Sequence, residues 1–397
     1  MRFIINKIWQ FKLPVMLVAI ILFAYGAGPY LPLDVKKFLY FWSHAFKQLL
    51  SFVLPFIIFS LLLFSIVHLK AGAMKLILIL LPLLVASNFI SIWLAYGAGN
   101  IIVENAELSL LTATTVELEP LWHFSLSPLI SSSSAMIAAV VFGLLSVAYF
   151  PERGQRISLV LSKITTFILN KIVLPFLPIM ILGMIVKLQH EDTLELLVKN
   201  FAYIFSAISV VQVVYIVFLY MAINKFRTSL WFSNLRNMFS PLLTAFSTMS
   251  SAVTMPLTLI ATRKNVHDPD VVNFVIPSTV NFHLIGDCIA MPICAMAVMV
   301  SFGYGFPSAS QYFVFSLLYS VARFSGAAIP GGGALILMPL LESQFSFTAD
   351  MLLLIPTLNL LFDPMITAMN VLGNGAFAIY FNKIYHAFKK PEPVLTT

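Results

Sequence analysis

Between Lys12 and Asp34, Lys47 and His68, Lys75 and Glu104, and His123 and Glu152, the chain carries no charged side chain. A helix needs about 20 residues to cross a hydrocarbon core of roughly 30 Å, and each of these runs supplies them. They predict four membrane spans, and the stretches 164–186, 200–224, 270–300 and 350–382 predict four more. In water such a chain would expose too much apolar surface. Of its 397 residues 60% are apolar and 10% charged, against about 25% charged in an average soluble domain. The first apolar stretch has no convincing small-residue cleavage site and is followed by many hydrophobic segments, so it reads as a first span rather than a signal peptide.

The net charge of +7 is explained by orientation. With the N-terminus inside and the spans alternating, the inner segments hold Arg2, Lys7, Lys12, Lys70, Lys75, Arg153, Arg156, Lys163, Lys225, Arg227, Arg236, Arg263, Lys264, Lys383, Lys389 and Lys390. The outer segments hold Lys36, Lys37, Lys47, Lys187 and Lys199. This bias is strongly positive-inside and predicts an inner (plasma) membrane protein with both termini cytoplasmic. It leaves no basic surface domain for nucleic acid. The outer connection 104–122, with Glu104, Glu107, Glu117 and Glu119, reads as an acidic loop. Cys288 and Cys294 lie in an apolar run and predict buried packing residues, not a disulfide framework or a thiolate metal site. No phosphate-cradling glycine loop and no compact nucleophile, base and orienter set is visible, so neither an enzyme nor a cofactor is expected.

The orientation holds only if two apolar stretches do not simply cross. Residues 237–262 are uncharged, yet the flanking Arg236 and Arg263 both belong inside. A re-entrant hairpin resolves this, with its turn at Ser250-Ser251-Ala252-Val253-Thr254-Met255-Pro256. The second stretch, 308–345, contains Ser325-Gly326-Ala327-Ala328-Ile329-Pro330-Gly331-Gly332-Gly333, a poor continuous helix because glycine and proline break it. Non-helical backbone at membrane depth is tolerated where protein or water satisfies it, so two breaks in one half mark a binding site. The alternative is kinked spans with structural prolines.

The tip Phe246 to Pro256, the tip Ala328-Ile329-Pro330-Gly331-Gly332-Gly333-Ala334, the phrase Leu340-Leu341-Glu342-Ser343 and the run Asp363-Pro364-Met365-Ile366-Thr367-Ala368-Met369-Asn370-Val371-Leu372-Gly373-Asn374-Gly375 follow one another in an order that resembles the dicarboxylate/amino acid:cation symporters. The resemblance is most specific over 237–382. It implies an all-α polytopic membrane protein of the elevator-type glutamate transporter fold, with eight transmembrane helices plus two re-entrant helical hairpins, assembled as a homotrimer. Carried onto this chain, residues 1–69 give scaffold helices 1 and 2, 70–103 transport-domain helix 3, and 104–198 an outer loop with scaffold helices 4 and 5. Residues 199–390 give helix 6, hairpin 1, helix 7, hairpin 2 and helix 8, and 391–397 a tail. The Ser131-Ser132-Ser133-Ser134 run is similar to the family's serine cluster but lies near the outer end of helix 4, where capping or solvation is its expected role.

The resemblance implies a substrate site from Ser250, Ser251 and Thr254, from Arg323, Ile329, Pro330 and Gly331, and from Asp363, Ile366, Thr367 and Asn370. Asp363 stands where the family holds a substrate amino group, and a carboxylate at that depth needs a partner. Ile366 and Met249 occupy the two places where relatives carry an arginine for an acidic side chain, which favours a neutral one. His283-Leu284-Ile285-Gly286-Asp287 replaces a signature whose aspartate binds sodium. Ile285 cannot ligate a cation, and Asn374 replaces another sodium carboxylate although Asn370 remains. No metal site is assigned, and at most weak sodium binding at Asn370 and Asn374 is expected.

Arg323 replaces a small residue at a third sodium site. It would serve as a built-in cation, reach the substrate carboxylate, or snorkel outward as an interfacial residue. If buried it needs an anion, with Asp287, Asp363 or the solute as candidates. The four-residue spacing of His283 and Asp287 predicts one helix face, either as a proton relay with Asn370 and Asn374 or as a static hydrogen-bonded pair.

The favoured function is secondary transport of a small amino-bearing organic solute, a neutral amino acid, with protons as the favoured coupling ion. The alternatives are a sodium-coupled symporter of dicarboxylates or acidic amino acids, an uncoupled carrier, and a non-transporting membrane sensor.

Overall fold

A computed structural model describes residues 19–388 apart from 21, 68–73, 107, 109–117, 123–125, 128, 267 and 326–331. Among these residues every regular element is helical: α1 (Leu33–Val67), α2 (Met74–Asn105), α3 (Ser132–Tyr149), α4 (Pro151–Ile168), α5 (Leu174–His190), α6 (Leu194–Ile223) and α7 (Thr228–Asn237) lead into α8 (Phe239–Thr248), α9 (Ser251–Arg263), α10 (Pro269–Thr279), α11 (Ile285–Ser301), α12 (Ala309–Ala322), α13 (Gly332–Phe345) and α14 (Ala349–Phe388). Three of them are long and apolar enough to cross a membrane, over Ile79–Asn105, Lys199–Ile223 and Ala349–Ala387. A fourth candidate is the pair Pro151–Val173 and Pro178–His190, bent by 44°. The π turn Leu169–Val173 and Pro178 lie at that bend, where both disturb the helical hydrogen-bond ladder. The chain is an all-α polytopic membrane protein.

Boundaries differ from the charge pattern where capping decides them. The span expected between His123 and Glu152 starts as a helix only at Ser132, because Ser131 is its N-cap and its hydroxyl accepts the Ser134 N–H at 3.0 Å. Capping is therefore what the serine run supplies. In contrast, α1 extends back through Lys47 to Leu33, and its 35 residues exceed what the hydrocarbon core requires. The uncharged stretch 237–262 is two helices, α8 and α9, packed on each other. They meet at Met249, whose φ of 49° is left-handed, and at Ser250, whose hydroxyl caps α9 by accepting the Val253 N–H at 3.3 Å. The stretch 308–345 is likewise divided, into α12, a 3-10 turn Arg323–Ser325, and α13.

α1 packs against α3, α4 and α5, whereas α6, α8, α9, α10, α11 and α13 pack against α14. The apolar window of α14 is 83% buried, against 33% and 28% for those of α2 and α6, so α14 is the axis of this second group. Almost all of α11 is buried beside it, including both cysteines, which are free thiols with no exposed surface. At one end of α14, Asp350 receives Lys187 Nζ of α5 at 2.5 Å and the Tyr40 hydroxyl of α1 at 2.9 Å. Towards the other end, His386 Nε2 lies 3.2 Å from Asp268.

Candidate functional site

The centre of the site is the gap between α10 and α11. The helix stops at Thr279, two residues after Pro277, and restarts at Ile285. The peptide groups of such a gap need partners inside a membrane protein. Asn88 of α2 supplies two of them: its Nδ2 donates to the Phe282 carbonyl at 2.7 Å and its Oδ1 accepts the Leu284 N–H at 3.3 Å. At the restart, the Gly286 N–H donates to Asn370 Oδ1 of α14 at 2.8 Å, and Gln212 Nε2 of α6 donates to the Gly286 carbonyl at 2.8 Å. Three carboxamides on three helices thus fix the broken segment. Asn88→Leu is expected to destabilise the fold by about 1–3 kcal/mol, because two partly buried peptide groups lose their partner. Thermal unfolding in detergent, with faster hydrogen exchange at Leu284, is the check.

His283 lies in the gap, ahead of α11, and this corrects the expectation that it shares a helix face with Asp287. Its Nδ1 is 3.1 Å from Asn374 Oδ1 and its Nε2 is 2.8 Å from the Ser87 hydroxyl of α2. The helix break rotates the two residues apart. His283 also borders a cavity of about 380 Å³ lined by Ser87, Tyr215, Ile285 and Phe377 among others.

Asp287, in the first turn of α11, turns instead to Arg323 in the 3-10 turn after α12. Arg323 Nη2 is 2.9 Å from Asp287 Oδ2, and Asn370 Nδ2 donates to the same oxygen at 3.2 Å. Arg323 Nη1 donates to the Tyr319 hydroxyl at 3.2 Å, and the guanidinium carbon lies 5.0 Å from the centre of that ring. Arg323 has no exposed surface, which corrects the interfacial, snorkelling alternative. The cause is electrostatic, since an anion is within contact distance.

Asp363, one turn before Thr367 on α14, is partly buried and accepts that residue's hydroxyl at 2.9 Å. Ile366 is almost fully buried, and so is Met249 at the turn between α8 and α9. Thr254 is buried, with its hydroxyl donating to the Ser250 carbonyl at 2.9 Å, while Ser251 is partly exposed. Ile329, Pro330 and Gly331 lie outside the described residues. The structure therefore joins Asp287, Arg323 and Asn370 in one cluster, His283 and Asn374 in a second, and Asp363 and Thr367 in a third. Sequence reasoning missed Ser87, Asn88, Gln212 and Tyr319. The available signal was a polar side chain inside an otherwise apolar span.

The model of the sodium:dicarboxylate symporter family matches residues 13–384. Among curated proteins, excitatory amino acid transporter 3 of Mus musculus is 26% identical over 250 residues, and that of Oryctolagus cuniculus is 24% identical over 250 residues. Each match covers 60% of this chain and 46% of the relative, so the matched stretch is about half the length of those proteins. The matching family is one of carriers, not enzymes.

Proposed function

We propose that this chain, which belongs to the sodium:dicarboxylate symporter family, carries a small amino acid across the membrane and holds its ammonium group on Asp363. The observation that carries the reading is Asp363 itself. It is a carboxylate near the middle of the central helix whose hydrogen bond among the described residues comes from a neutral hydroxyl, Thr367. A cationic group would complete it. The family architecture of eight spans and two re-entrant hairpins, the homotrimer, the scaffold and transport division and the cytoplasmic termini belong to the same proposal. The α8–α9 and α12–α13 pairs and the basic inner segments support it.

Two readings divide on the solute's side chain and the driving ion. The family's description and the relatives' names favour a sodium-coupled carrier of dicarboxylates or acidic amino acids, and this reading has the broader support. The local side chains favour a neutral amino acid without sodium: Ile366 is apolar, Arg323 is engaged by Asp287, and the oxygens of Asn370 and Asn374 accept from Gly286 N–H and His283. In the second reading His283 or Asp287 exchanges the proton.

Purified protein in vesicles, given labelled amino acids and dicarboxylates under independently imposed sodium and pH gradients, separates these readings. Accumulation of amino acids but not of amino-free dicarboxylates is the expected result, and transport confined to amino-free dicarboxylates would overturn the assignment of Asp363. Tight aspartate uptake driven by sodium selects the first reading. Uptake of neutral amino acids that follows pH, with a gain in relative aspartate affinity on Ile366→Arg, selects the second.

A further inference from the structure

We propose that Asp287 and Tyr319 form a cation receptor whose occupant is the chain's own Arg323. Three groups that attract positive charge converge on the guanidinium: the Asp287 carboxylate at 2.9 Å, the Tyr319 phenol oxygen at 3.2 Å and the Tyr319 ring face at 5.0 Å. They come from α11 and α12, and the arginine between them is fully buried. Asn370 donates through its nitrogen to the same carboxylate oxygen, while its own oxygen is spent on the Gly286 N–H. The described side chains consequently leave Asp287 one monovalent counter-charge, and that charge is covalently attached.

The same arrangement is a poor fit to sodium. A hard cation needs converging oxygens, but Asn370 presents N–H to Asp287, Asn374 accepts from His283, and Ile285 offers no side-chain ligand. On the α13 side the backbone of Gly333 comes close to the pair, so that a Cβ there would stand 2.7 Å from Asp287 Oδ1 and 3.5 Å from both terminal nitrogens of Arg323. A tethered guanidinium needs no binding from solution and cannot be lost by dilution. The counter-charge beside Asp287 therefore does not depend on the concentration of a dissolved cation.

The inference rests on neither the solute nor the driving ion, and stability without solute tests it. Arg323→Ala opens the receptor while keeping its carboxylate. Its thermal midpoint is expected to fall and then to rise saturably by about 5 °C with millimolar guanidinium. Wild type and the double variant Arg323→Ala with Asp287→Ala are expected to show no such rise. Absence of rescue in folded Arg323→Ala, or equal rescue in the double variant, would overturn the proposal. So would a sodium-induced stabilisation of wild type that disappears in Asp287→Asn. Should Arg323→Ala fail to fold, Arg323→Lys and the double variant decide. Both folding, without response to guanidinium, supports a required positive charge beside Asp287, and failure of either overturns it.

Discussion

Asp363→Asn is expected to weaken binding of amino-bearing solutes about 100-fold while leaving the fold intact. The substitution keeps size and shape, and the carboxamide can still accept the Thr367 hydroxyl that now reaches the carboxylate at 2.9 Å. What disappears is the charge. A charge-assisted bond to an ammonium away from water contributes roughly 3 kcal/mol, and each 1.4 kcal/mol is about tenfold in affinity. Isothermal titration or solute-induced thermal shift of the purified protein measures it, with unfolding in the absence of solute as the control. Unchanged affinity would make Asp363 a structural residue and remove the main support for an amino acid substrate.

The second large effect is expected from Gly286→Ala. A methyl group there would fall on the Ile366 carbonyl of α14 and stand 3.0 Å from Asn370 Oδ1. Neither neighbour gives way cheaply, since the carbonyl is helix backbone and the carboxamide is tied to Asp287. The start of α11 would be driven off α14, straining the bonds from Gly286 N–H to Asn370 and from Gln212 to the Gly286 carbonyl. Overpacking and two weakened buried hydrogen bonds together predict a loss of about 3–5 kcal/mol. Gly373→Ala is the matched control: its methyl would meet the end of the Ile285 side chain at 2.9 Å, a group that can rotate. A much smaller fall in thermal midpoint is expected for it. Equal falls would show that the close approach at Gly286 is not special.

The features legible in the sequence are those with local signals. Absence of charge marks the long apolar helices, and serine marks the turn at Met249 and Ser250, because such residues act on the backbone where they stand. The motif order also identified the family. Pairings across the chain were harder. The spacing of His283 and Asp287 puts them on one face only if the helix is unbroken, and the chain breaks between Thr279 and Ile285. Gln212 reaches Gly286 across 74 positions and Asn88 reaches Phe282 across 194, distances that no periodicity encodes. From the sequence, a buried Arg323 needs an anion, and Asp287 is one of three candidates. Burial and the choice of Asp287 came from the geometry, which sets the 3-10 turn opposite the first turn of α11.

The burial of the two cysteines has a practical consequence. They are the chain's complete set of thiols, and both sit inside α11 with no accessible surface. Maleimides and methanethiosulfonates act on exposed thiolates, so the folded native chain should remain unlabelled. A single cysteine introduced on either side of the α8–α9 turn can then be labelled for fluorescence or spin-probe distance measurements in an otherwise native background. Reporter labels can thus follow conformational exchange without first replacing two residues in an almost entirely buried helix, where smaller or larger side chains would leave cavities or strain.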